Sequence, residues 1–206
     1  MLADDHTVVR AGLRRLLEDH GDLRVVAEAA TGDEVLSIVA ADGVDVIVLD
    51  ISMPGPGVFE VLRQLAERHP RVRTVVLTVH PEDQYGVRVL RAGAAGYLSK
   101  ERSPELLVEA IRKAHQGGVY VSPTLADALA AFVTRSGDRP PDQLLSSREF
   151  DVLVRLARGQ SVKAIAGDLS LSRKTVSTYH SRIRQKLRLR SDAELVRYAL
   201  DHGLVG

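Results

Sequence analysis

Two hydrophobic spacings alternate along the first 120 residues. Short apolar runs, typical of strands buried on both faces, are separated by segments whose apolar residues recur at helical spacing. The predicted strands are Met1–Ala3, Arg24–Glu28, Val44–Leu49, Val72–Leu77 and Ala95–Leu98. The predicted helices are Val9–Leu17, Asp33–Ala40, Phe59–Ala66, Glu82–Ala92 and Pro104–His115. This alternation predicts an α/β domain with a doubly wound, five-stranded parallel sheet.

The pattern changes after residue 120. Leu125, Leu129 and Phe132 share one apolar stripe, which predicts a helix over 122–133. The segment 134–143 contains Ser, Gly and a Pro pair without periodicity, which is typical of an exposed linker. We therefore assign residues 1–120 to a first domain, 121–143 to a linker and 144–206 to a second domain.

The second domain has a purely helical spacing. Ser146 and Glu149 have the spacing of a capping box in front of an apolar run. The apolar stripes of four successive helices fall within 150–157, 162–169, 176–187 and 193–200. A short helix, a tight turn at Leu171–Ser172 and a longer basic helix form the helix-turn-helix signature. The segment is therefore predicted to be an all-α, four-helix helix-turn-helix domain.

Charge separates the two domains. Residues 144–206 carry twelve Lys and Arg against six Asp and Glu, or +6, whereas the preceding residues carry −5, which gives the net +1. A basic second domain favours a polyanionic partner. The chain has no cysteine, no apolar run long enough to span a membrane and no visible secretory signal, so we predict a cytoplasmic protein.

Reactive side chains stand where the predicted strands end. They are Asp4, Asp5, Asp50, Thr78 and Lys100. In an open parallel sheet, ligand sites form outside the carboxyl ends of the strands, so the fold should gather these groups into one pocket. A single strand-end Asp is often only a turn or capping residue, but the joint arrangement favours a shared site.

The chemistry of this set suits phosphoryl transfer assisted by Mg²⁺. The carboxylates of Asp5 and Asp50 are the predicted direct ligands, with Asp4 acting through water and the carbonyl of Ser52 supplying a further oxygen. Asp50 is the predicted nucleophile, since a carboxylate that attacks phosphorus forms an acyl phosphate. Lys100 would offset charge on the phosphoryl oxygens, and a hydroxyl from the fourth strand would bind the new group.

These segments resemble the receiver domain of two-component response regulators, which has a flavodoxin-like fold. The matching stretches are Ala3-Asp4-Asp5-His6, Val48-Leu49-Asp50-Ile51-Ser52-Met53-Pro54-Gly55, Val76-Leu77-Thr78 and Ala92-Gly93-Ala94-Ala95-Gly96-Tyr97-Leu98-Ser99-Lys100. The resemblance implies that a sensor histidine kinase phosphorylates Asp50. It also implies that Asp4, Asp5, Asp50 and Ser52 serve Mg²⁺, that Thr78 and Tyr97 form a switch pair, and that Lys100 contacts the phosphoryl group.

The chain departs from the receiver pattern at two places. The first predicted strand is only Met1–Ala3, which predicts a weakly held strand and a loosened acid pair. Glu101, rather than the proline of many receivers, follows Lys100, as is common in the subfamily named after the nitrate regulator NarL. His6, beside the acids, is interpreted as a loop residue.

The basic helix has the pattern of a DNA-reading element. Val176, Ile183 and Leu187 are predicted to face the core. The opposite stripe carries Lys174, Ser177, Thr178 and Ser181. The short polar side chains of the two serines and the threonine allow close approach to base edges in the major groove. The predicted phosphate contacts are Lys163, Arg173, Thr175, Arg182, Arg184 and Lys186.

This part resembles the LuxR-type DNA-binding domain. The resemblance is carried by Leu145-Ser-Ser-Arg-Glu-Phe, Gly159-Gln-Ser-Val-Lys-Ala-Ile-Ala, Leu171-Ser-Arg-Lys-Thr-Val-Ser-Thr-Tyr and Ile183-Arg-Gln-Lys-Leu. It implies that Ser177, Thr178 and Ser181 occupy base-reading positions. The whole chain is thus interpreted as a response regulator that controls transcription, with promoter DNA and a sensor histidine kinase as partners and an active homodimer.

Two other functions remain open at this point. A haloacid-dehalogenase-like phosphatase also uses a strand-end Asp, but it needs a second Asp two residues later, where Ser52 stands. A phosphorylation-independent DNA-binding regulator with a degenerate receiver is the second alternative, which the short first strand favours.

Overall fold

The protein forms two compact units, residues 1–134 and 135–206. The computed structural model describes residues 1–41, 43–80, 82–101, 104–135, 145–169, 171–202 and 204–205. Most of the predicted linker segment 134–143 lies outside these described residues. Within them, no helix is both long enough and apolar enough to cross a membrane.

The first unit has the predicted doubly wound architecture. Its elements are β1 (Leu2–Ala3), α1 (Thr7–Glu18), β2 (Glu28–Ala29), α2 (Gly32–Val39), β3 (Val46–Leu49), α3 (Val58–Arg68), β4 (Arg73–Thr78), α4 (Glu82–Arg91), β5 (Gly96–Ser99), α5 (Pro104–His115) and α6 (Pro123–Arg135). The strands pair in parallel in the order β2-β1-β3-β4-β5. The fold prediction is confirmed, and the strand order places the ends of β1, β3, β4 and β5 along one edge of the sheet.

The second strand differs from its prediction. It covers Glu28–Ala29 rather than Arg24–Glu28. The strand lies at the sheet edge and pairs only with β1, whose two residues offer two register positions. The length of β2 is therefore limited by its neighbour and not by its own β-rich composition.

The first strand is as short as the sequence predicts, but the sheet holds it on both sides. Leu2 and Ala3 are buried and pair with β2 and with β3. The backbone N–H of Asp4 donates to Ala29 O at 3.0 Å, and that of Asp50 donates to Ala3 O at 2.8 Å. These bonds hold the start of the acid pair, although the strand is short.

Helix α6 packs within the first unit, although the sequence predicts a linker over 121–143. The hydroxyl of Ser122 donates to the buried carboxylate of Glu82 at the start of α4, and it accepts the N–H of Leu125 at 3.1 Å. The side chain of Leu125 is fully buried against Gly86, where a Cβ would lie 2.5 Å from its Cδ1. A glycine at this position thus allows α4 and α6 to approach closely.

The described residues of the second unit form the four predicted helices. They are α7 (Ser147–Ala157), α8 (Val162–Asp168), α9 (Arg173–Leu187) and α10 (Asp192–Asp201). The capping box of Ser146 and Glu149 is present at α7, and Ser172 caps α9 by accepting the N–H of Thr175 at 3.0 Å. Buried side chains from α7, α8 and α9, including Phe150, fill the core that fixes the orientation of α9.

Candidate functional site

Acidic side chains from two strand ends lie together at the carboxyl edge of the sheet. Asp4, Asp5, His6 and Asp50 each offer a ligand atom, and these atoms lie within 4.8 Å of one another. Asp4 and Asp50 are buried, at 2% and 4% exposure, whereas Asp5 is exposed. The parallel register places Ala3 beside Leu49, so that the residues after them meet at one edge.

Lys100 approaches the same carboxylates from β5. Its Nζ donates to Asp4 Oδ2 at 2.5 Å and to Asp50 Oδ2 at 3.1 Å. Burial by itself would lower the pKa of Lys100, but its hydrogen bond to Asp4 and the negative charge of Asp50 outweigh burial, so its pKa is raised. Lys100 therefore stays protonated and supplies a fixed positive charge.

The donor set fits a divalent cation. Three carboxylates lie close together, two of them beside the ammonium group of Lys100 and the third beside the ring of His6, so the cluster is rich in oxygen donors. Hard oxygen ligands of this kind suit Mg²⁺, which retains several waters beside one or two carboxylates. Asp50 Oδ1 also accepts the N–H of Ile51 at 2.8 Å, so its carboxylate orientation is defined by hydrogen bonds on both oxygens.

Thr78 and Tyr97 meet at the backbone of His80. Thr78 is fully buried at the end of β4, and its Oγ1 accepts the N–H of His80 at 3.4 Å. The buried Tyr97 donates its hydroxyl to the carbonyl of His80 at 2.9 Å. The two residues predicted to form a switch pair thus bind the same loop residue, one at its N–H and the other at its carbonyl.

His80 makes contacts beside the acidic site that the sequence did not predict. Its Nε2 lies 3.1 Å from the hydroxyl of Ser52, two residues past Asp50, and its ring lies 4.7 Å from the ring of Tyr85 in α4. The loop after β4 therefore connects the neighbourhood of Asp50 with α4. The sequence signal was only its position two residues beyond Thr78.

The predicted DNA-reading face is exposed along α9. The base-reading candidates Ser177, Thr178 and Ser181 are exposed, while Val176, Ile183 and Leu187 are buried as predicted. Thr178 Oγ1 donates to Lys174 O at 2.9 Å, and Ser181 Oγ donates to Ser177 O at 3.1 Å. These bonds use the hydroxyl protons within the helix, and both oxygens retain lone pairs that can accept a hydrogen bond.

The predicted phosphate contacts separate into two groups. Lys163, Arg173 and Arg182 are exposed cations. Thr175 contributes to the cap of α9, because its hydroxyl lies 2.8 Å from that of Ser172, and Arg184 donates to the carbonyl of Arg190. Lys186 is also engaged within the domain, since its Nζ donates to the buried Glu149 at 2.6 Å. A phosphate role for Lys186 stays a prediction and would compete with this ion pair.

Acid should weaken the second unit through Glu149. Burial alone would raise the pKa of Glu149, but its bonds with Lys186 and Ser146 outweigh burial and lower the pKa. Because the pKa of Glu149 is lower in the folded state, its ionised carboxylate stabilises the fold at pH values above the unfolded-state pKa of about 4.3. This contribution is lost as the pH falls through the folded-state pKa. We expect Glu149→Gln to reduce the free energy of unfolding by about 1–3 kcal/mol at pH 7 and by progressively less below about pH 4.

Urea unfolding of the full chain at several pH values measures this effect. Gln can preserve the capping box, so the variant isolates the ion pair. Asp168→Asn is the control, because Asp168 is half exposed and pairs with Arg155 at the surface, and its effect should stay within about 0.5 kcal/mol. A difference between Glu149→Gln and wild type that does not shrink in acid would contradict the ionic origin.

Comparison with known proteins finds a matching family for each of the two units. Residues 1–112 match the response regulator receiver domain, and residues 143–199 match the luxR family of bacterial regulatory proteins. The response regulator UvrY of Escherichia coli strain K12 is 40% identical over 205 residues, which cover 99% of this chain and 94% of UvrY.

Solved structures show the same likeness. RcsB from Salmonella enterica serovar Typhimurium, bound to promoter rprA in the presence of the phosphomimetic BeF₃⁻, has a TM-score of 0.58 at 27% identity, covering 96% of this chain and 95% of that one. A structure of two RcsB dimers bound to two parallel DNAs has a TM-score of 0.59 at 25% identity, covering 98% and 96%.

A doubly wound domain with an acidic pocket and a helix-turn-helix domain define a response regulator whose output is DNA binding. The chain belongs to the NarL/FixJ family of two-component response regulators, whose second domain is of the LuxR type. It is a DNA-binding regulator of transcription. This family is not a family of typical enzymes, and the position that a phosphatase would require for its second acid holds Ser52, whose hydroxyl contacts His80.

Proposed function

We propose that Asp50 accepts a phosphoryl group from a sensor histidine kinase and that this modification controls promoter binding. The contact between Asp50, Lys100 and the acid pair carries the proposal. The buried carboxylate of Asp50 attacks phosphorus, an O–P bond forms, and the P–N bond to the kinase histidine breaks. The kinase histidine leaves as neutral imidazole, once it takes up a proton.

Asp4, Asp5 and Asp50, with the carbonyl of Ser52, are the groups that would hold Mg²⁺. The ion supplies charge neutralisation for the phosphoryl oxygens, which lowers their repulsion by the carboxylates. Lys100 is already hydrogen-bonded to Asp50, so its ammonium group is in place to contact an oxygen of the bound phosphoryl group. Asp4 keeps that ammonium group oriented.

The loop after β4 is the element that would carry the change outward. A phosphoryl group on Asp50 offers strong acceptors to the hydroxyl of Thr78, which at present accepts the N–H of His80. A movement of Thr78 would therefore shift His80, whose carbonyl accepts the hydroxyl of Tyr97 and whose ring contacts the ring of Tyr85 in α4. The proposed switch is a two-state arrangement of this loop with α4.

DNA binding is assigned to α9 and its surrounding cations. The exposed stripe of Lys174, Ser177, Thr178 and Ser181 would face base edges in the major groove, while Lys163, Arg173 and Arg182 would meet phosphates. The RcsB structures contain promoter DNA and dimers. We propose that this chain also binds promoter DNA as a homodimer, with two-fold pairing through α10, and therefore acts in the cytoplasm.

A titration with BeF₃⁻ and Mg²⁺ tests the coupling. BeF₃⁻ imitates a phosphoryl group on a carboxylate, so we expect it to shift the wild-type protein toward the dimer and to tighten binding to a promoter fragment. The measurements are sedimentation velocity and DNA titration, with Asp50→Asn as the control that should not respond. Unchanged oligomeric state and DNA affinity in wild type would leave the phosphorylation-independent regulator as the better account.

A further inference from the structure

Arg10 connects the first turn of α1 to the backbone of the acid pair. Its guanidinium group donates from Nη1 to the carbonyl of Asp4 at 2.5 Å and from Nε to Glu28 Oε2 at 3.1 Å. The side chain is only 14% exposed, so its position is defined by packing as well as by these bonds. Arg10 is not one of the groups that face the proposed phosphoryl site.

The carbonyl of Asp4 is the point where the chain leaves the sheet. The N–H of Asp4 still belongs to the ladder, since it donates to Ala29 O, but the backbone then turns through Asp5 and His6 into α1. The N–H of His6 also donates to Asp4 Oδ1 at 2.8 Å, which closes the turn through the side chain of Asp4. Arg10 is the side chain that binds the backbone carbonyl of Asp4.

Glu28 fixes Arg10 in this position. Its carboxylate binds two arginines, and the hydrogen bonds from Arg14 and then Arg10 lower the pKa of Glu28, so it stays ionised. Arg14 binds Glu28 at 2.7 Å and Glu18 at 3.1 Å, both within its own surface network. The two arginines therefore share one partner, but the hydrogen bond to Asp4 belongs to Arg10.

We propose that Arg10 is a positioning residue for the metal-holding acids. By holding the carbonyl of Asp4, it fixes the turn that presents the carboxylates of Asp4 and Asp5 to Asp50. The inference rests on the proposed function, because it assigns Arg10 a role in the Mg²⁺ affinity of that same site.

Electrostatics and positioning predict opposite signs for Arg10. A positive charge beside the acid cluster repels a cation, so removing it should tighten Mg²⁺ binding if charge alone matters. Loss of a group that orients metal ligands weakens metal binding, commonly by tenfold or more. The direction of the change in Arg10→Ala thus separates the two effects.

The test compares Arg10→Ala, Arg10→Lys and Arg14→Ala with wild type in the full chain. Mg²⁺ affinity is measured by calorimetry, and labelling from acetyl phosphate is measured across Mg²⁺ concentrations. We expect Arg10→Ala to bind Mg²⁺ about tenfold more weakly, with labelling that recovers toward the wild-type rate at saturating Mg²⁺. Arg10→Lys, which retains a donor, should recover part of the affinity, and Arg14→Ala should match wild type.

Equal effects in Arg10→Ala and Arg14→Ala would reduce the role of Arg10 to general support of α1 and would overturn the inference. Unchanged or tighter Mg²⁺ binding in Arg10→Ala would also overturn it. If the wild-type protein itself neither binds Mg²⁺ nor incorporates label, the proposed function fails and not merely the role of Arg10.

Discussion

Replacing Asp50 by Ala or Asn should reduce labelling from acetyl phosphate to background. Asp50 is the buried carboxylate that both contacts Lys100 and stands beside Asp4 and Asp5, so it is the acceptor that this geometry offers. Asn preserves the shape and one carbonyl oxygen but is a far weaker nucleophile than a carboxylate. We therefore expect loss of the label without loss of the fold.

The fold should survive because Lys100 retains Asp4 as a partner in both variants. Asp45→Asn is the matched control, since Asp45 is an exposed acid at the opposite end of the same strand region and should leave labelling unchanged. Circular dichroism and the melting temperature check that the variants are folded. Label that persists in Asp50→Asn at the wild-type level would remove Asp50 as the acceptor and with it the proposed chemistry.

Replacing Ser177, Thr178 and Ser181 together by Ala should remove most of the preference for the promoter site. The three residues are exposed on α9, and a lost base contact costs about 1 kcal/mol or more. Three such losses amount to about 3 kcal/mol, or roughly a hundredfold in the ratio of specific to non-specific affinity. Ala is a strong helix former, so α9 should remain intact.

Arg182→Ala is the contrasting variant. As an exposed cation beside the reading stripe, Arg182 is expected to neutralise a phosphate, so its loss should weaken specific and non-specific binding alike. The slope of log affinity against log salt should fall in magnitude by about one. DNA titrations over a range of salt concentrations, with promoter and scrambled fragments, measure both quantities.

A triple Ala variant that keeps the wild-type affinity ratio would show that α9 reads DNA through other residues.

Strand-end placement located the acidic pocket because parallel strands have a common direction. Asp50 and Lys100 are fifty residues apart, yet each follows an apolar run, and the sheet brings them to 3.1 Å. His80 and Arg10 lacked such a signal. A histidine in a loop and an arginine on a helix are ordinary surface residues in a sequence, and their partners are backbone carbonyls or side chains that only the folded chain brings near.

The helix over 122–133 shows the same limit at the level of packing. Its apolar stripe predicts a helix, but the pattern does not identify which element packs against that stripe. The structure places Leu125 against Gly86 and joins Ser122 to Glu82, so α6 is a partner of α4 within the first unit. The sequence alone gave no reason to pair a glycine in one helix with a leucine almost forty residues later.

The sequence by itself determined the alternation of strands and helices, the helix-turn-helix pattern and the residues at each strand end, because hydrophobic periodicity and chain direction are local properties. Only the tertiary structure decided which carboxylates bind Lys100, that Glu149 binds Lys186, and that Arg10 donates to the carbonyl of Asp4 after a two-residue strand. Those contacts depend on how separate elements pack, where a shift of an ångström makes or breaks a hydrogen bond.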